Sequence, residues 1–532
     1  MVLTESYLPA DLSSPVLETT VGTVLREAAA DAPDQLALVE GIEDAAARRT
    51  WTIAELASDA EQIARALAHR FDKGDRVAIW APNIPEWILT EFACGLAGVV
   101  LVTVNPAYQA EELEYVLDQS GAAGLFYTRV FRGNAMGNHL DAVAPGLAGL
   151  RHIVEFGELD QWVAATPDGV ALPDVSPDDP AQIQYTSGTT GFPKGAYLHH
   201  RGLTNNARHF ADRLGMAPGG AFVNPMPLFH TAGCVLAVLG AIQARSALVQ
   251  LEAFEPGLML ELLETHDSTH MLGVPTMLIA AMAHPDFATR DLSTVTTVCS
   301  GGSTVPADLV RRIEDSLGVQ FSIIYGQTEA SPGITLMKPE DSAEDKATTL
   351  GPAMPQIELK VVHPEDGATQ PIGEPGELCV RGYNVMTGYF EMPEKTAETI
   401  DADGWLHTGD LVTMDDRGYT TITGRLKDMI IRGGENIYPR EIEELLFAHP
   451  KVADVAVCGL PDPKWGEIVG AFIRDADPAD AATDAELKAY LREHLAAFKT
   501  PAAWYRVDEF PLTASGKVQK FAIVEAWEKG LY

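Results

Sequence analysis

The sequence predicts an α/β protein, in which a large N-terminal domain of helix-wrapped parallel sheets includes a β-barrel module and is followed by a small α+β domain. At 532 residues the chain is far longer than one hydrophobic core requires. Helical and strand-like patterns alternate from Thr20 to Pro180 and again from Gly202 to Tyr325, which is typical of a mostly parallel sheet covered by helices. The pattern then changes character twice, near Gly351 and after Gly424.

The alternation is clearest in the first part of the chain. We predict an amphipathic helix from Thr52 to Arg70 that begins with a capping box, because Thr52 precedes Glu55 by three residues. A short apolar strand follows at Gly74–Trp80, then a helix at Ile84–Val99 and a strand at Val100–Pro106. Later strands are predicted at Ser246–Leu251, Val295–Ser300 and Ser322–Tyr325.

The middle of the chain, from Gly351 to Thr423, consists of short β-rich pieces separated by Gly and Pro. This pattern predicts the barrel-like β module, at about residues 351–423. Beyond Gly424-Arg425 the order of elements changes again, and we predict an N-terminal domain of residues 1–425 and a C-terminal domain of residues 426–532. The predicted elements of this last domain are a helix at Pro439–Ala448, strands at Val452–Cys458 and Ile468–Ile473, a helix at Asp484–Leu495 and a strand near Tyr505.

The charge balance limits the partners. A formal net charge of −37 argues against nucleic-acid binding, which needs a basic stripe. A solvated acidic surface explains this charge, and an acidic docking face for a basic partner is the alternative. A polyanionic small-molecule substrate would need a local island of lysine or arginine, so basic residues near Gly-rich loops are of particular interest.

The hydropathy pattern does not predict a membrane protein. The most apolar segment, Phe92–Val104, is too short to span a bilayer, and residues 1–15 lack the basic start of a secretory signal. The cysteines lie far apart, without a CxxC motif, which predicts buried free thiols and a cytoplasmic location. They are Cys94, Cys234, Cys299, Cys379 and Cys458.

The most informative stretch is the loop from Tyr185 to Gly195, which combines glycines, hydroxyl residues and one lysine after a short strand. Such a loop offers backbone N–H groups, hydroxyl donors and an ammonium to an oligophosphate. It is not a P-loop, because Pro193 precedes the lysine and Gly195 follows it. The alternative is a flexible polar linker. The candidate ATP-binding residues here are Thr186, Ser187, Gly188, Thr189, Thr190, Gly191 and Lys194.

A second candidate segment follows a predicted strand and reads Tyr325-Gly326-Gln327-Thr328-Glu329. An aromatic ring, a glycine turn, a hydroxyl and a carboxylate at a strand end suit a nucleotide and its metal ion, although an ordinary strand exit can read similarly. With this segment and the loop before it, the chain resembles, nearly from end to end, the adenylate-forming superfamily of acyl-CoA synthetases, luciferases and peptide-synthetase adenylation domains. The resemblance implies that ATP is a substrate, that Tyr325 stacks on adenine, and that Thr328 contacts the α-phosphate. It further implies that Mg²⁺ is held by Glu329 and Thr186.

Three further segments resemble motifs of the same superfamily. Gly301, Gly302 and Ser303 look like the segment that lines the adenine and the acyl group. In Trp405–Asp410 the resemblance assigns the ribose hydroxyls to Asp410, and a carboxylate that accepts two hydroxyl hydrogen bonds suits this role. Gly424–Asp428 resembles the motif in which Arg425 binds ribose and phosphate and Lys427 is the hinge of a mobile C-terminal lid. Without the resemblance, an exposed turn would be the better explanation for both Asp410 and Arg425.

The segment Pro511–Lys520 resembles the catalytic-lysine loop, and Lys517 aligns with the lysine that bridges the carboxylate and the α-phosphate. An anionic carboxylate that attacks an anionic phosphate needs a cation between them, and such a group is commonly worth about 3 kcal/mol or more. Alone, Ser515-Gly516-Lys517 would read as a solvated loop. Leu512 departs from the family, many of whose members carry a basic residue there.

The second half-reaction is implied by Ile430–Pro439, which is similar to the segment that lines the pantetheine tunnel of acyl-CoA and aryl-CoA ligases. Its two glycines allow close approach of a narrow ligand. The resemblance further implies that the lid swings about the hinge between half-reactions, so that one site serves both. The candidate residues for coenzyme A (CoA) are Gly433, Gly434, Glu435 and Trp465.

The acyl pocket is predicted around Asn224–Gly233, in which His230 resembles the family histidine that borders the acyl carboxylate. A lone histidine after phenylalanine is otherwise a common core residue. Small apolar residues after His230 indicate an apolar tunnel. The candidate pocket residues are His230, Thr231, Ala232, Gly233, Gly301, Gly326 and Gly333, and the candidate catalytic residues are Lys517, His230, Glu329 and Thr186.

Together these features predict an ATP-dependent acid–thiol ligase, resembling the medium-chain fatty-acyl-CoA synthetase branch, that forms acyl-AMP and then acyl-CoA. The alternatives are an adenylating ligase with an amine or carrier-protein acceptor, and an aryl-CoA ligase. Other classes are an idle nucleotide-binding protein and a peripheral membrane protein, the second of which lacks a basic amphipathic helix. The predicted partners are small molecules only, with a homodimer left open.

Overall fold

The computed structural model describes residues 2–186, 193–303, 305–433, 435–512 and 518–532. Ser187, Gly188, Thr189, Thr190, Gly191, Gly434 and Lys517, all predicted site residues, lie outside the described residues. The chain divides into two compact units. The larger unit comprises Leu8–Leu359 and Val380–Leu406, and the smaller one Met1–Tyr7, Lys360–Cys379 and His407–Tyr532. The domain boundary at residues 425–426 stays a prediction.

The β-strands are numbered along the chain. They are β1 Tyr7–Leu8, β2 Leu36–Gly41, β3 Thr50–Thr52, β4 Arg76–Trp80, β5 Val100–Val104, β6 Gly124–Tyr127, β7 His152–Glu155, β8 Pro180–Thr186, β9 Lys194–His199, β10 Ala221–Asn224, β11 Ala247–Leu251, β12 His270–Leu272, β13 Thr297–Gly301, β14 Gln320–Gly326, β15 Gly333–Leu336, β16 Ile357–Val362, β17 Gly376–Gly382, β18 Gly388–Tyr389, β19 Leu406–Met414, β20 Thr420–Arg425, β21 Ile430–Arg432, β22 Glu435–Ile437, β23 Val452–Asp462, β24 Gly466–Asp475 and β25 Ala503–Arg506.

The α-helices are numbered in the same way. They are α1 Val21–Asp31, α2 Ile53–Arg70, α3 Pro85–Ala97, α4 Ala110–Gln119, α5 Met136–Val143, α6 Leu159–Ala164, α7 His200–Leu214, α8 Gly240–Ala244, α9 Pro256–Thr265, α10 Pro275–Ala283, α11 Ala307–Leu317, α12 Ala343–Thr348, α13 Pro393–Thr399, α14 Pro439–Phe447, α15 Asp484–His494 and α16 Lys520–Glu528. A π-helical segment, Ala232–Leu239, leads directly into α8.

The larger unit contains two sheets. In the described residues the first has eight strands in the order β15-β14-β13-β12-β10-β11-β2-β3, and the second seven in the order β18-β9-β8-β5-β4-β6-β7. Strands β14, β13, β12, β10, β11 and β2 run parallel, as do β8, β5, β4, β6 and β7. Antiparallel β15 and β3 complete the edges of the first sheet, and β9 and β18 extend one edge of the second. The predicted α/β class is confirmed.

Several helices lie where local sequence patterns predicted them. The capping box predicted at Thr52 is present, since the Thr52 hydroxyl accepts from Glu55 N and the Glu55 carboxylate accepts from Thr52 N. Helix α2 places one apolar face inward, at Ile53, Leu56, Ala60, Ile63, Ala64 and Leu67. Helix α3 is buried on nearly every side, with only Glu86 among its residues outside the interior. A helix that is apolar on most of its surface packs inside a core, which agrees with the hydrophobic character of this segment.

The β-rich middle of the chain forms a sheet of order β1-β16-β17-β19-β20. The prediction of a barrel is corrected here, because the sheet is open and no closed barrel is found in the described part of the chain. Closing it would require β1 to pair with β20, and β1 is only two residues long. So short an edge offers too few hydrogen bonds for closure.

The smaller unit carries a second sheet, in which β22, β21, β24 and β23 lie side by side and β25 pairs with β24. One apolar cluster packs α14 and α15 against this sheet, with Ile442, Leu446, Leu487 and Leu491 fully buried. A second cluster includes Phe472 and Ile523, which belongs to α16, a helix that follows β25 and that we did not predict. The two long strands β23 and β24 follow one another directly, with α14 before them and α15 and α16 after them, which gives an α+β arrangement.

Two further predictions, one about the cysteines and one about membrane spans, agree with the structure. All five cysteines are buried free thiols. No helix in the described ranges combines the length and apolar character that a membrane span requires.

Candidate active site

The loop predicted to bind phosphate leaves and re-enters the seven-stranded sheet at neighbouring points. Thr186 ends β8 and Lys194 begins β9, and the two residues pair across the antiparallel ladder. The Thr186 hydroxyl donates to the Lys194 carbonyl at 3.4 Å. The Tyr115 hydroxyl donates to the Pro193 carbonyl at 3.0 Å, so helix α4 anchors the returning end of the loop. The ends of the loop are therefore fixed by the sheet and by α4.

A chain of hydrogen bonds connects Lys194 to Glu329 through Tyr389, a residue that the sequence reasoning missed. The Lys194 ammonium donates to the Tyr389 hydroxyl at 3.0 Å, and that hydroxyl donates to Glu329 Oε1 at 2.6 Å. The ammonium also lies 4.1 Å from the centre of the Tyr389 ring. The structure thus brings together the predicted phosphate-binding lysine and the predicted metal-binding carboxylate, with one phenol between them.

Burial and neighbouring charges shift the pKa values of Lys194 and Tyr389. Burial lowers the pKa of Lys194 from its ordinary value, and the neighbouring Glu329 carboxylate opposes that shift. Burial, followed by the Glu329 charge, raises the pKa of Tyr389 far above the usual range of a phenol. Tyr389 therefore keeps its proton at neutral pH and remains able to donate to Glu329.

The carboxyl ends of parallel strands place the remaining predicted nucleotide residues along one edge of the eight-stranded sheet. Gly301, Gly302 and Ser303 leave β13, and Gly326 to Glu329 leave the adjacent β14. Such an edge is where open α/β sheets bind ligands. Tyr325 is buried at the end of β14, and a single 3₁₀ turn, Thr328–Ala330, carries Glu329.

Gly326 occupies a point where no side chain fits. A Cβ atom there would lie 1.9 Å from the Pro332 carbonyl oxygen, and the register of β14 against β15 shifts at the same place. Gly326 therefore allows the chain to fold back sharply and to present the turn that carries Glu329.

Two asparagines that we did not predict hold Gly333 in place. The Asn206 side chain accepts from Gly333 N and donates to Gly333 O, both at 2.8 Å, and Asn384 donates to the same carbonyl at 3.3 Å. Both asparagines are fully buried. Buried amides that satisfy a backbone N–H and C=O fix the backbone firmly. Gly333 is therefore a rigid position of the predicted acyl pocket.

His230 lies in the loop that follows β10, at the entrance to the π-helical segment. Its Nδ1 accepts a hydrogen bond from Ala232 N at 3.1 Å, so the neutral ring carries its proton on Nε2. Thr231 and Gly233 are buried and Ala232 is partly buried. From Gly233 to Leu239 the segment is entirely buried and, apart from Cys234, purely aliphatic. π-Helical segments occur frequently at functional sites, which agrees with the predicted acyl tunnel.

In the smaller unit the predicted ribose residues face each other across a ladder. Asp410 on β19 pairs with Arg425 on β20, and the guanidinium Nε lies 3.0 Å from Asp410 Oδ1. The Asp410 residue is buried, whereas about half of the Arg425 side chain is exposed. Lys427, the predicted hinge residue, is exposed in the 3₁₀ turn Leu426–Asp428 that follows β20.

The turn before Asp410 is held by a buried carboxylate that we did not predict, Glu377. Its Oε1 accepts from Gly409 N at 3.0 Å and its Oε2 contacts His407 Nδ1 at 2.8 Å. Hydrogen bonds to Cys379 and Glu377 raise the pKa of His407 to about 10. The imidazole is thus positively charged at neutral pH and forms an ion pair with Glu377.

The predicted CoA residues begin with Gly433, which has a positive φ of 61°. A Cβ atom there would lie 2.8 Å from the Trp465 ring, so a side chain would displace the indole. Gly433 N donates to the Trp465 carbonyl at 2.8 Å, and about 41% of Trp465 is exposed. Glu435, at the start of β22, is also exposed. Gly433 and Trp465 are therefore brought together.

Next to this pair lies the local positive island that a polyanionic substrate requires. A cavity of about 250 Å³ is lined by Arg432, Lys488 and Arg492, among others. The Arg432 guanidinium lies 5.2 Å from the centre of the Trp465 ring and donates to the Phe498 carbonyl at 2.9 Å. In a chain with a net charge of −37, three cations around one cavity form a distinct positively charged surface.

The comparisons with known proteins agree with these observations. A family model described as AMP-binding enzyme matches residues 25–390, and a model described as AMP-binding enzyme C-terminal domain matches residues 441–517.

Three similar proteins illustrate the match. YngI of Bacillus subtilis (strain 168), to which an acyl-CoA synthetase activity is ascribed, is 41% identical over 541 residues, covering 96% of this chain and 97% of that protein. The mitochondrial medium-chain acyl-CoA ligase ACSF2 of Rattus norvegicus is 36% identical over 562 residues, covering 99% of this chain and 90% of the ligase. The crystal structure of ATP-bound MatB from Rhodopseudomonas palustris matches with a TM-score of 0.88 at 30% identity, over 97% of this chain and 100% of MatB.

Proposed function

Because the chain belongs to the family of AMP-binding enzymes and is an adenylate-forming acyl-CoA synthetase, we propose that it joins a medium-chain or modestly branched fatty acid to CoA. The observation that carries this proposal is the end-to-end match to a medium-chain acyl-CoA ligase. The five cysteines are buried free thiols, which are typical of proteins in a reducing compartment, so the proposed location of the reaction is the cytoplasm.

In the first half-reaction an oxygen of the substrate carboxylate attacks the α-phosphorus of ATP. A new P–O bond forms, the bond to the β-phosphate oxygen breaks, and pyrophosphate leaves with the bonding electrons. Lys194 is proposed to bind the phosphates, and Lys517, which lies outside the described residues, to bridge the carboxylate and the α-phosphate. Fixed cations stabilise the charge that develops in such a transition state. Asp410 and Arg425 are proposed to bind the ribose, and Tyr325 the adenine.

The residues near the phosphate loop fit a magnesium ion. Mg²⁺ prefers oxygen ligands such as carboxylates together with the phosphates of the substrate. Glu329 and Thr186 offer a carboxylate and a hydroxyl, and these residues would hold the ion. When bound, it neutralises part of the phosphate charge.

In the second half-reaction the CoA thiol, which loses its proton as it attacks, forms a C–S bond with the acyl carbon. The C–O bond of the mixed anhydride breaks and AMP leaves. Support comes from Gly433 beside the exposed Trp465, a pairing that leaves backbone accessible to a narrow ligand, and from the cavity lined by Arg432, Lys488 and Arg492. Phosphates of CoA are the polyanion that this cavity suits.

The aliphatic π-helical segment after His230 supports an apolar acyl chain. Every residue from Gly233 to Leu239 is buried, and the segment offers no charged partner for a second carboxylate or an amino group on the substrate. A buried charge without a partner is strongly unfavourable, so uncharged chains are favoured.

The test is a panel of carboxylic acids in two assays. ATP–pyrophosphate exchange measures adenylation, and AMP release with and without CoA measures thioester formation. We expect octanoate and its neighbours in chain length to be the best substrates, with exchange independent of CoA and AMP release dependent on it.

The alternatives give different results in the same assays. A strong preference for benzoates over octanoate would replace the fatty acid with an aromatic one. AMP release that does not respond to CoA would favour an amine or a carrier-protein acceptor. Absence of exchange with every acid would overturn the proposed function.

A further inference from the structure

Tyr389 lies between two candidate active-site residues and is mounted rigidly. Its backbone pairs with Ala196 across the β18–β9 ladder, and Phe390 N donates to the Gly195 carbonyl at 2.8 Å. Its own N–H donates to the Thr396 hydroxyl at 2.9 Å, and the residue is only 5% exposed. The backbone that carries the ring is therefore held by β9, the strand that begins at Lys194, and by α13.

The hydroxyl of Tyr389 forms hydrogen bonds with two charged groups. It accepts from the Lys194 ammonium at 3.0 Å and donates its single proton to Glu329 Oε1 at 2.6 Å. Because an ammonium only donates and a carboxylate only accepts, the directions of both bonds are fixed. The phenol thus connects a cation and an anion that would otherwise attract each other directly.

Backbone hydrogen bonds connect the segment that carries Tyr389 to the turn that carries Glu329. Met386 N donates to the Glu329 carbonyl at 2.9 Å, and Thr387 N donates to the Tyr197 carbonyl at 2.9 Å. The segment 386–390 is therefore hydrogen-bonded to the turn that carries Glu329 and also to β9. One short segment joins the carboxyl edge of the eight-stranded sheet to the phosphate-loop strand of the seven-stranded sheet.

We propose that Tyr389 is a positioning residue for the adenylation step, which holds Glu329 and Lys194 apart and ready for the magnesium ion and the phosphates of ATP. This inference rests on the proposed function. Without the hydroxyl, ammonium and carboxylate are drawn into a direct ion pair, and each must give up that pair before it can bind its ligand. A site whose groups are already separated reorganises less when the ligand arrives.

The test removes one oxygen atom. Tyr389→Phe keeps the ring, its packing and its contact with the Lys194 ammonium, but it deletes both hydrogen bonds of the hydroxyl. Hydrogen bonds to charged groups are strong enough that we expect about a tenfold rise in the KM for MgATP and in the Mg²⁺ concentration for half-maximal ATP–pyrophosphate exchange. The KM for the fatty acid is expected to stay unchanged.

Tyr197→Phe is the matched control, because it makes the same chemical change on the neighbouring strand β9. In the hydrogen bonds found among the described residues, Tyr197 contacts neither Lys194 nor Glu329. We expect the wild-type Mg²⁺ profile for this variant. A merely structural effect of losing a hydroxyl from β9 or its neighbour would alter the thermal unfolding temperature of both variants and leave the Mg²⁺ midpoint alone.

A second pair of variants keeps the test informative if Tyr389→Phe does not fold. Thr396→Val removes the hydroxyl that accepts from Tyr389 N, whereas Thr396→Ser retains it. We expect Thr396→Val to shift the Mg²⁺ midpoint in the same direction by about threefold, and Thr396→Ser to leave it unchanged.

The proposal is overturned if Tyr389→Phe, or failing that Thr396→Val, shows the wild-type Mg²⁺ midpoint and KM for MgATP. That result differs from failure of the proposed function, in which the wild-type protein itself would catalyse no exchange with any acid.

Discussion

At the scale of single residues, Glu91 is the acid whose surroundings differ most from water. It lies on α3, is 2% exposed, and accepts a hydrogen bond from the Gln182 side chain at 2.7 Å. Its second oxygen is buried and has no hydrogen-bond partner in the described residues. Burial raises the pKa of Glu91 well above its ordinary value of 4.5, so the folded protein holds this carboxyl in its neutral form.

This neutral carboxyl predicts a pH-dependent stability. Above pH 4.5 the unfolded chain releases the proton that the folded chain keeps, so the free energy of unfolding falls as the pH rises towards the folded pKa. Glu91→Gln removes the titration while keeping the size and the acceptor oxygen. We expect a higher thermal unfolding temperature than wild type at pH 8 and a smaller difference at pH 5, measured by differential scanning calorimetry.

Glu111→Gln, at an exposed position of α4, is the control and should follow the wild-type curve at both values of pH. If Glu91→Gln lowers the unfolding temperature more at pH 8 than at pH 5, the buried carboxyl is ionised in the folded state and the prediction is wrong.

At the scale of elements, the turn between Leu406 and Asp410 shows how a buried pair shapes a binding position. Glu377 on β17 accepts from Gly409 N and contacts His407, while the Thr408 hydroxyl donates to the Leu378 carbonyl at 2.7 Å. These bonds determine where Asp410, the proposed ribose ligand, leaves the turn.

The ion pair between His407 and Glu377 predicts a second pH-dependent contribution to stability. A histidine pKa raised from 6.5 to about 10 contributes stability that is fully present below pH 6.5 and is lost as the pH rises through about 10. Glu377→Gln replaces the carboxylate with a neutral amide, so the pKa of His407 should fall and this loss should become smaller. Urea unfolding at pH 6.5, 8 and 10 measures it. We also expect an increase of about tenfold in the KM for ATP, because Gly409 and Asp410 lose a charged anchor.

Glu374→Gln, at an exposed position just before β17, provides the control for general loss of negative charge. An unchanged slope of stability against pH in Glu377→Gln would show that the pair with Glu377 does not hold the histidine proton.

Elements were predictable from the sequence where their causes are local. The capping box of α2 depends on two residues three positions apart, and the buried α3 on a segment made mostly of apolar residues. Helix α16 was missed because its apolar residues follow directly on the Pro511–Lys520 motif without a cap of the kind that marks α2. The prediction that the β module closes into a barrel was wrong, because closure depends on which distant strands pair.

The candidate site divides in the same way. Lys194 and Glu329 stand in segments whose residue types indicate phosphate and metal binding, and Asp410 stands in a motif that resembles a family motif. The sequence was therefore sufficient to nominate all three residues. Tyr389 and Glu377 lie in segments without such a signal. Tyr389 contacts Glu329, which is 60 residues away in the chain, and Glu377 contacts His407, which is 30 residues away. Only the fold brings those partners together. A Gly-Tyr pair just before a proline-initiated helix was the one local hint for Tyr389.

At the scale of the whole molecule, the net charge of −37 sets a background repulsion. Repulsion among like charges opposes the compact state, and added salt screens it over about 10 Å at 0.1 M and about 3 Å at 1 M. We therefore expect the thermal unfolding temperature to rise with NaCl concentration between these limits. Exposed ion pairs weaken under the same conditions, but each contributes little.

Differential scanning calorimetry in NaCl, with an equal osmolality of sucrose as the control for solvent exclusion, separates screening from other effects. A fall in unfolding temperature with NaCl would show that ion pairs outweigh the net repulsion.

The π-helical segment has a consequence for how this chain can diverge. Under the proposed function, the apolar segment Ala232–Leu239 contributes side chains to the acyl pocket, whereas the residues that bind the nucleotide lie in turns at strand ends. A mutation in this segment alters the pocket without changing the side chains that bind the nucleotide. A laboratory that wishes to redirect the enzyme to a new acid should accordingly randomise this segment first and leave the strand-end turns untouched.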